Sequence, residues 1–133
     1  LYPVNLEKFG LILTLEALIS NVNESLLIQL IVNHDYQKRP ISFEVQIYRI
    51  IQEFLSNVIK HAKASNMLIH IRDTETSLAL ILSDNGVGFD NSILKKGMGL
   101  KNIDSRIKSI NAFSKWKSKK GNGSRLIIIL PIQ

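Results

Sequence analysis

The sequence predicts an α+β fold, an α/β two-layer sandwich in which helices cover one face of a mixed, mainly antiparallel sheet. Two observations predict it. Three segments carry apolar residues at helical spacing, while five shorter ones carry the apolar runs or the alternation of strands. Their order, α-β-α-β-β-loop-α-β-β, does not alternate strictly enough for a doubly wound parallel sheet, and two pairs of strands are joined by short turns that make hairpins.

The first helix is expected in "LEKFGLILTLEALISNV", with Asn5 as its N-cap and Glu7 in the favourable first turn. "SLLIQLIVN" reads as a strand and "HDYQKRP" as a polar turn ending at Pro40. Ser42 is placed to cap a longer helix, "FEVQIYRIIQEFLSNVIKHAKAS", with Glu44 near its positive end. "MLIHIRD" and "TSLALILSD" form a hairpin around a turn centred on "TE". A glycine-rich loop from Asn85 to Gly99 leads to the helix "LKNIDSRIKSIN", whose apolar face is Leu100, Ile103, Ile107 and Ile110. "FSKWKS", the turn "KKGNG" and "SRLIIILP" make the second hairpin. There is no internal repeat or low-complexity tract, so residues 1–133 are expected to form a single domain.

The composition narrows the function. Hydrophobic residues make up 45% and charged residues 21%, as in a globular chain rather than a disordered one. No apolar run approaches the ~18–20 residues that cross a bilayer. A soluble domain without membrane contact of its own is therefore expected, and the absence of cysteine fits a reducing, cytoplasmic compartment. The chain starts at Leu1 rather than Met, which suggests a piece of something longer. Its lack of cysteine excludes disulfides and thiolate metal sites. The net charge of +6 invites nucleic acid as a partner, but outside Lys115–Lys120 the basic residues are dispersed, and the expectation is no nucleic acid.

Four features carry chemistry. On the long helix, Ile47, Ile50, Ile51, Phe54, Val58 and Ala62 form the core arc, and beside it runs a polar stripe of Gln46, Arg49, Glu53, Asn57, Lys60 and His61. Glu53 and Asn57, four apart, project side by side, as they would also on a merely solvated face. In "SDNGVGFD", a strand ends on Asp84 and is followed by Gly86 and Gly88. A carboxylate at the floor of an apolar pocket suits an exocyclic amino group such as that of adenine, and the glycines would let a flat ligand lie close. An Asn85-Gly86 hairpin turn would account for Gly86 alone. "KKGMGLKNI" places Gly97 and Gly99 before a helix starting near Leu100, where free N–H groups can meet phosphate and Lys95, Lys96 and Lys101 add charge. The fourth, "GNGSRLIIILP", reads by itself as a hairpin. A P-loop is absent, the dinucleotide spacing fails at Asn91 and Asn102, and a calcium loop from Asp84 would end on Lys95 instead of Glu.

Taken in order, Glu53-x-x-x-Asn57-x-x-Lys60-His61-Ala62, Asp84-x-Gly86-x-Gly88, Gly97-x-Gly99-Leu100 and Gly121-x-Gly123-Ser124 resemble the N, G1, G2 and G3 boxes of the GHKL ATPase superfamily, whose ATP-binding fold is of the Bergerat type. The chain looks most like the catalytic domain of bacterial sensor histidine kinases, in the subfamily associated with NarL/LuxR-type regulators. The resemblance implies ATP and Mg²⁺ as ligands, with Asn57 as the magnesium ligand and Glu53 as the acid/base residue. It implies that Lys60 and His61 face the phosphates and that Asp84 binds adenine with Gly86 and Gly88 making room. Gly97, Gly99 and Leu100 would supply backbone donors, and Ser124 would back Asp84 through water. The sequence departs from many such kinases in having Glu53 where a second asparagine stands, and only Phe89 in place of an aromatic box between G1 and G2.

Such kinases phosphorylate a histidine on a dimerisation domain and, through it, a response regulator. The resemblance therefore implies a homodimeric full-length protein, one that can be membrane-anchored elsewhere. His34-Asp35 imitates an acceptor pair, but Pro40 follows six residues later and no amphipathic helix surrounds it; His70 alternates with apolar residues in a strand and reads as a sheet-surface position. The phosphoacceptor is thus expected outside this chain. The alternatives are a serine kinase of the anti-sigma-factor type, which would share every box, and a non-catalytic nucleotide-binding or protein-interaction module.

Overall fold

The computed structural model describes residues 3, 5–22, 24–33, 35–88 and 100–131. In chain order its elements are α1 (Leu6–Ser20), β1 (Leu27–Val32), α2 (Ile41–Asn57) continued by a π-helical turn (Val58–Ala62), β2 (Asn66–Asp73), β3 (Ser77–Asp84), α3 (Leu100–Ser109), β4 (Phe113–Ser118) and β5 (Ser124–Pro131). The strands form one sheet in the order β1-β2-β3-β5-β4. β1 pairs with β2 in parallel, while β2–β3, β3–β5 and β4–β5 are antiparallel. The expected α+β architecture holds.

Alternation decides which face is covered. Met67, Ile69 and Ile71 of β2, Leu78, Leu80 and Leu82 of β3, and Leu126 and Ile128 of β5 are buried and point to one side, as period-2 geometry requires. Ile47, Ile50, Ile51, Phe54 and Leu55 of α2 and Ile103 and Ile107 of α3 close over them, joined by Leu6, Leu11 and Leu15 of α1. Phe54 stacks on Trp116 of β4 with ring centroids 6.1 Å apart, extending this core to the sheet edge. The exposed Lys115 and Lys117 on β4 discourage further strands from adding to that edge. His70 faces away from the helices, as the sequence suggested.

The helix starts differ from expectation. Asn5 has helical backbone angles and makes no side-chain cap bond. Ser42 lies inside α2, because Pro40 occupies the cap position, its carbonyl accepting from the N–H groups of Phe43 and Glu44 at 3.0 Å each. A proline there presets the chain direction and has no N–H to leave unpaired. Within α1, Gly10 adopts φ 82°, which breaks the helical geometry and is open to glycine without cost.

At the end of the sheet where β2 finishes, buried Asp73 receives the Arg39 guanidinium at 2.6 Å and the Gln37 N–H at 2.7 Å. The Tyr36 hydroxyl donates to buried Glu44 at 2.6 Å. Burial, then Glu44, pushes the Tyr36 phenol far up from its ordinary value, so it stays a donor. These bonds fix the entry to α2 and leave the opposite end of the sheet for the site.

Leu82→Ala, at a fully buried position, should lower the unfolding free energy by about 2–5 kcal/mol in urea titrations. Phe113→Ala, on the open edge, should change it by less than about 0.5 kcal/mol.

Candidate functional site

Register brings the site together. On the covered face, Met67, Asp84, Ser124 and Ser118 lie in one row across four strands, each paired with the next. Asp84 ends β3 with its carboxylate Oδ1 accepting the Gly86 N–H at 2.8 Å. Burial raises the pKa of Asp84, and the N–H groups of Gly86 and Ser124 offset part of that rise by bonding the ionised form. Ser124 is buried, and its hydroxyl lies 2.9 Å from that of Ser118. The sequence reading missed Ser118, although as an even-numbered residue of β4, in phase with Trp116, it had to face inward.

The glycines serve backbone packing. A Cβ on Gly86 would fall on the carbonyl of Ala62, one on Gly123 on the carbonyl of Asp84, and one on Gly88, at φ 71°, on the carbonyl of Lys119. The second glycine of the Asp84 loop is thus required by the β4–β5 turn. Room for a flat ligand was the expected reason; the structure shows that these glycines are also where main chains meet.

Those contacts set α2 beside Asp84. The Ala62 carbonyl accepts the Val87 N–H at 2.7 Å, and the chain then leaves the π-helical turn through Lys63 in the left-handed region, φ 51°. Asn57 stands at the junction of α-helix and π-helical turn, only about one and a half turns before Ala62. It is 8% exposed, and its Nδ2 has no hydrogen-bond partner among the described residues. A buried amide N–H group without a partner demands an explanation, and a bound ligand that brings an acceptor oxygen is one. Glu53, one turn earlier, is half-buried; Lys60 and His61 are exposed on the π-helical turn. Such turns recur at functional sites.

Of the residues singled out in the sequence, Asp84, Gly86, Gly88 and Ser124 therefore meet at one end of the sheet, with Glu53, Asn57, Lys60 and His61 on the helix end fastened to it. Leu100 opens α3 with its side chain buried in the core. Gly97, Gly99, Phe89 and His34 lie outside the described residues. An anchored carboxylate on the sheet end, with a polar amide and the exposed Lys60 on the helix end, can hold an elongated ligand with an amino group at one end and negative charge at the other. Among the described residues there is no cluster of three or more His, Asp or Glu that could hold a metal.

Comparison with known proteins places these features in context. The family described as histidine kinase-, DNA gyrase B-, and HSP90-like ATPase matches residues 43–133. The signal transduction histidine-protein kinase/phosphatase DegS of Brevibacillus brevis is 32% identical over 130 residues, covering 96% of this chain and 34% of that protein. The sensor histidine kinase ComP of Bacillus subtilis is 31% identical over 128 residues, covering 92% of this chain and 17% of that protein. The chain thus spans about a third or less of these two relatives. Among solved structures, the ATP binding domain of PrrB from Mycobacterium tuberculosis superposes with a TM-score of 0.66 at 14% identity, over 87% of this chain and 86% of that one. The Acinetobacter baumannii histidine kinase AdeS gives 0.68 at 15% identity, over 91% and 60%. These two likenesses show the fold.

Because the Asp84 pKa is raised in the folded state, the fold favours the protonated carboxyl. That contribution is complete below the ordinary aspartate range and is lost as pH rises through the raised value. Asp84→Asn should therefore raise the melting temperature of the nucleotide-free protein at pH 7, and the gain should vanish as pH falls through the carboxylate range. Gly123→Ala should cost about 1–3 kcal/mol in denaturant titrations, since the added methyl meets main chain that cannot rotate away.

Proposed function

This chain belongs to the histidine kinase-, DNA gyrase B-, and HSP90-like ATPase family, and from that premise we propose that it is the ATP-binding catalytic domain of a sensor histidine kinase of the NarL/LuxR-associated group, acting in two-component signal transduction. The observation that carries the reading is the anchored Asp84 carboxylate at the same end of the fold as the buried Asn57 amide, whose Nδ2 has no partner among the described residues. One accepts the amino group of adenine, and the other offers the oxygen that a hard divalent cation at the phosphates takes. When bound, Mg-ATP supplies the phosphoryl group and the cation that neutralises its charge.

The chain's own residues do the rest by position. Asp84, stiffened by the Gly86 N–H and set beside Ser124, fixes the base. On a turn fastened to the Asp84 loop, Lys60 presents positive charge and His61 a ring N–H donor to the phosphates. Glu53 lies on the same helix face as Asn57 and takes the proton from the acceptor histidine's other ring nitrogen, the one that carries the N–H, as the unprotonated nitrogen attacks. A P–N bond forms there as the bond to the bridging oxygen of ADP breaks. The acceptor lies on a dimerisation domain outside this chain, and a response regulator receives the phosphoryl group next. The relatives named as a signal transduction histidine-protein kinase/phosphatase and a sensor histidine kinase support this assignment.

Mg-ADP or Mg-ATP at ~100 times its dissociation constant should stabilise the wild type by about 2.7 kcal/mol, roughly 10 °C in melting temperature. Asp84→Asn should abolish the shift. Absence of a shift in the wild type would overturn the reading. With a dimerisation domain supplied in trans, Glu53→Gln should keep the thermal shift and lose phosphohistidine formation by about a hundredfold or more. Phosphoserine in place of phosphohistidine would move the assignment to the serine kinases of the superfamily.

A further inference from the structure

We propose that Asn85 is a positioning residue that locks the phosphate-facing end of α2 to the adenine-facing end of β3, so that a single nucleotide can engage both. The inference rests on the nucleotide reading above.

In the sequence Asn85 looks like the first half of a hairpin turn, yet no hairpin forms there. Its side chain instead grips the chain that leaves α2. Oδ1 accepts the N–H groups of Ser65 at 2.9 Å and Asn66 at 2.8 Å, and Nδ2 donates to the Ser65 hydroxyl at 2.8 Å. The Asn85 N–H adds a bond to the Asn66 carbonyl at 3.2 Å. The gripped segment follows Lys63 and Ala64, directly after the π-helical turn that carries Lys60 and His61. The Ser65 carbonyl meanwhile accepts the Leu27 N–H of β1 at 2.9 Å, so the connection is tied on both sides.

The two halves of the site are anchored unequally. Asp84 sits in a ladder between β2 and β5, and its carboxylate has the Gly86 and Ser124 N–H groups besides, so its place does not depend on the Asn85 side chain. The end of α2, being helical, has no such ladder to hold it. It is held to the Asp84 loop by the contacts of Ala62 with Gly86 and Val87 and, past the left-handed Lys63, by Asn85. Removing the amide leaves the adenine half in place and loosens the phosphate half. Because Asn85 is exposed, water can take over the freed N–H groups and the fold should survive.

The test compares Mg-ADP with adenosine in titrations of the wild type, Asn85→Ala and Asn85→Asp by calorimetry and NMR, at about 0.3 M salt to screen exposed charge. Asn85→Ala should weaken Mg-ADP about tenfold, as for the loss of a hydrogen-bonded anchor, and leave adenosine within about twofold. Asn85→Asp keeps acceptors for both N–H groups and for the Ser65 hydroxyl, and should restore most of the Mg-ADP affinity. Unchanged Mg-ADP affinity in Asn85→Ala, equal losses for both ligands, or no rescue by Asn85→Asp would overturn the role of Asn85 alone. A wild type that binds neither ligand would overturn the nucleotide reading and this inference with it. Should Asn85→Ala fail to fold, the same comparison in Asn85→Ser, which keeps one acceptor, decides the matter.

Discussion

The carbonyl of Ala62 points at a place where only a glycine can stand. Gly86 packs onto it, and the Val87 N–H bonds to it. This contact joins the end of α2 to the end of β3, and the rest of the site follows. The helix finishes in a π-helical turn and a left-handed Lys63, and the carbonyl that a longer helix would have used internally is given to the loop after Asp84. Gly123 on Asp84 and Gly88 on Lys119 repeat the device toward the β4–β5 turn. Three main-chain segments are thereby drawn together more closely than side chains would allow.

The strain of function collects at the same place. Asp84 is a carboxylate whose burial disfavours its charge, and Asn57 is a buried amide with a polar atom lacking a partner among the described residues. Both weaken the empty fold, and a ligand that satisfies them recovers what they cost. The stability that allows this lies elsewhere, in the layer of branched apolar side chains between α2, α3 and the strands and in the Asp73–Arg39 and Glu44–Tyr36 bonds at the far end. A rigid far end and a near end fastened by main-chain contacts let the site change its occupancy without changing the core.

Much of the fold was legible because period alone carries it. Leu78, Leu80 and Leu82 had to share a face, and so did Ile47, Ile50, Ile51 and Phe54; β4 and β5 fall on the segments expected. What failed was local: Asn5 and Ser42 have the chemistry of helix caps, but the chain direction set by Pro40 and the helical angles of Asn5 placed the starts otherwise. The candidate site was legible only as residue types in order, Glu53 and Asn57, then Asp84, then Ser124, which the fold brings to one end of the sheet. Ser118 and the Asn85 latch were not, because their partners come from strands and connections that only folding makes adjacent.

By itself, then, the sequence determined the two-layer architecture and the residues that gather at one end of the sheet, since both rest on spacing along the chain. Tertiary structure alone decided why the glycines are there and what Asn85 holds. Those are matters of which main chain approaches which, and a glycine's neighbour across space leaves no mark on the residues beside it in sequence.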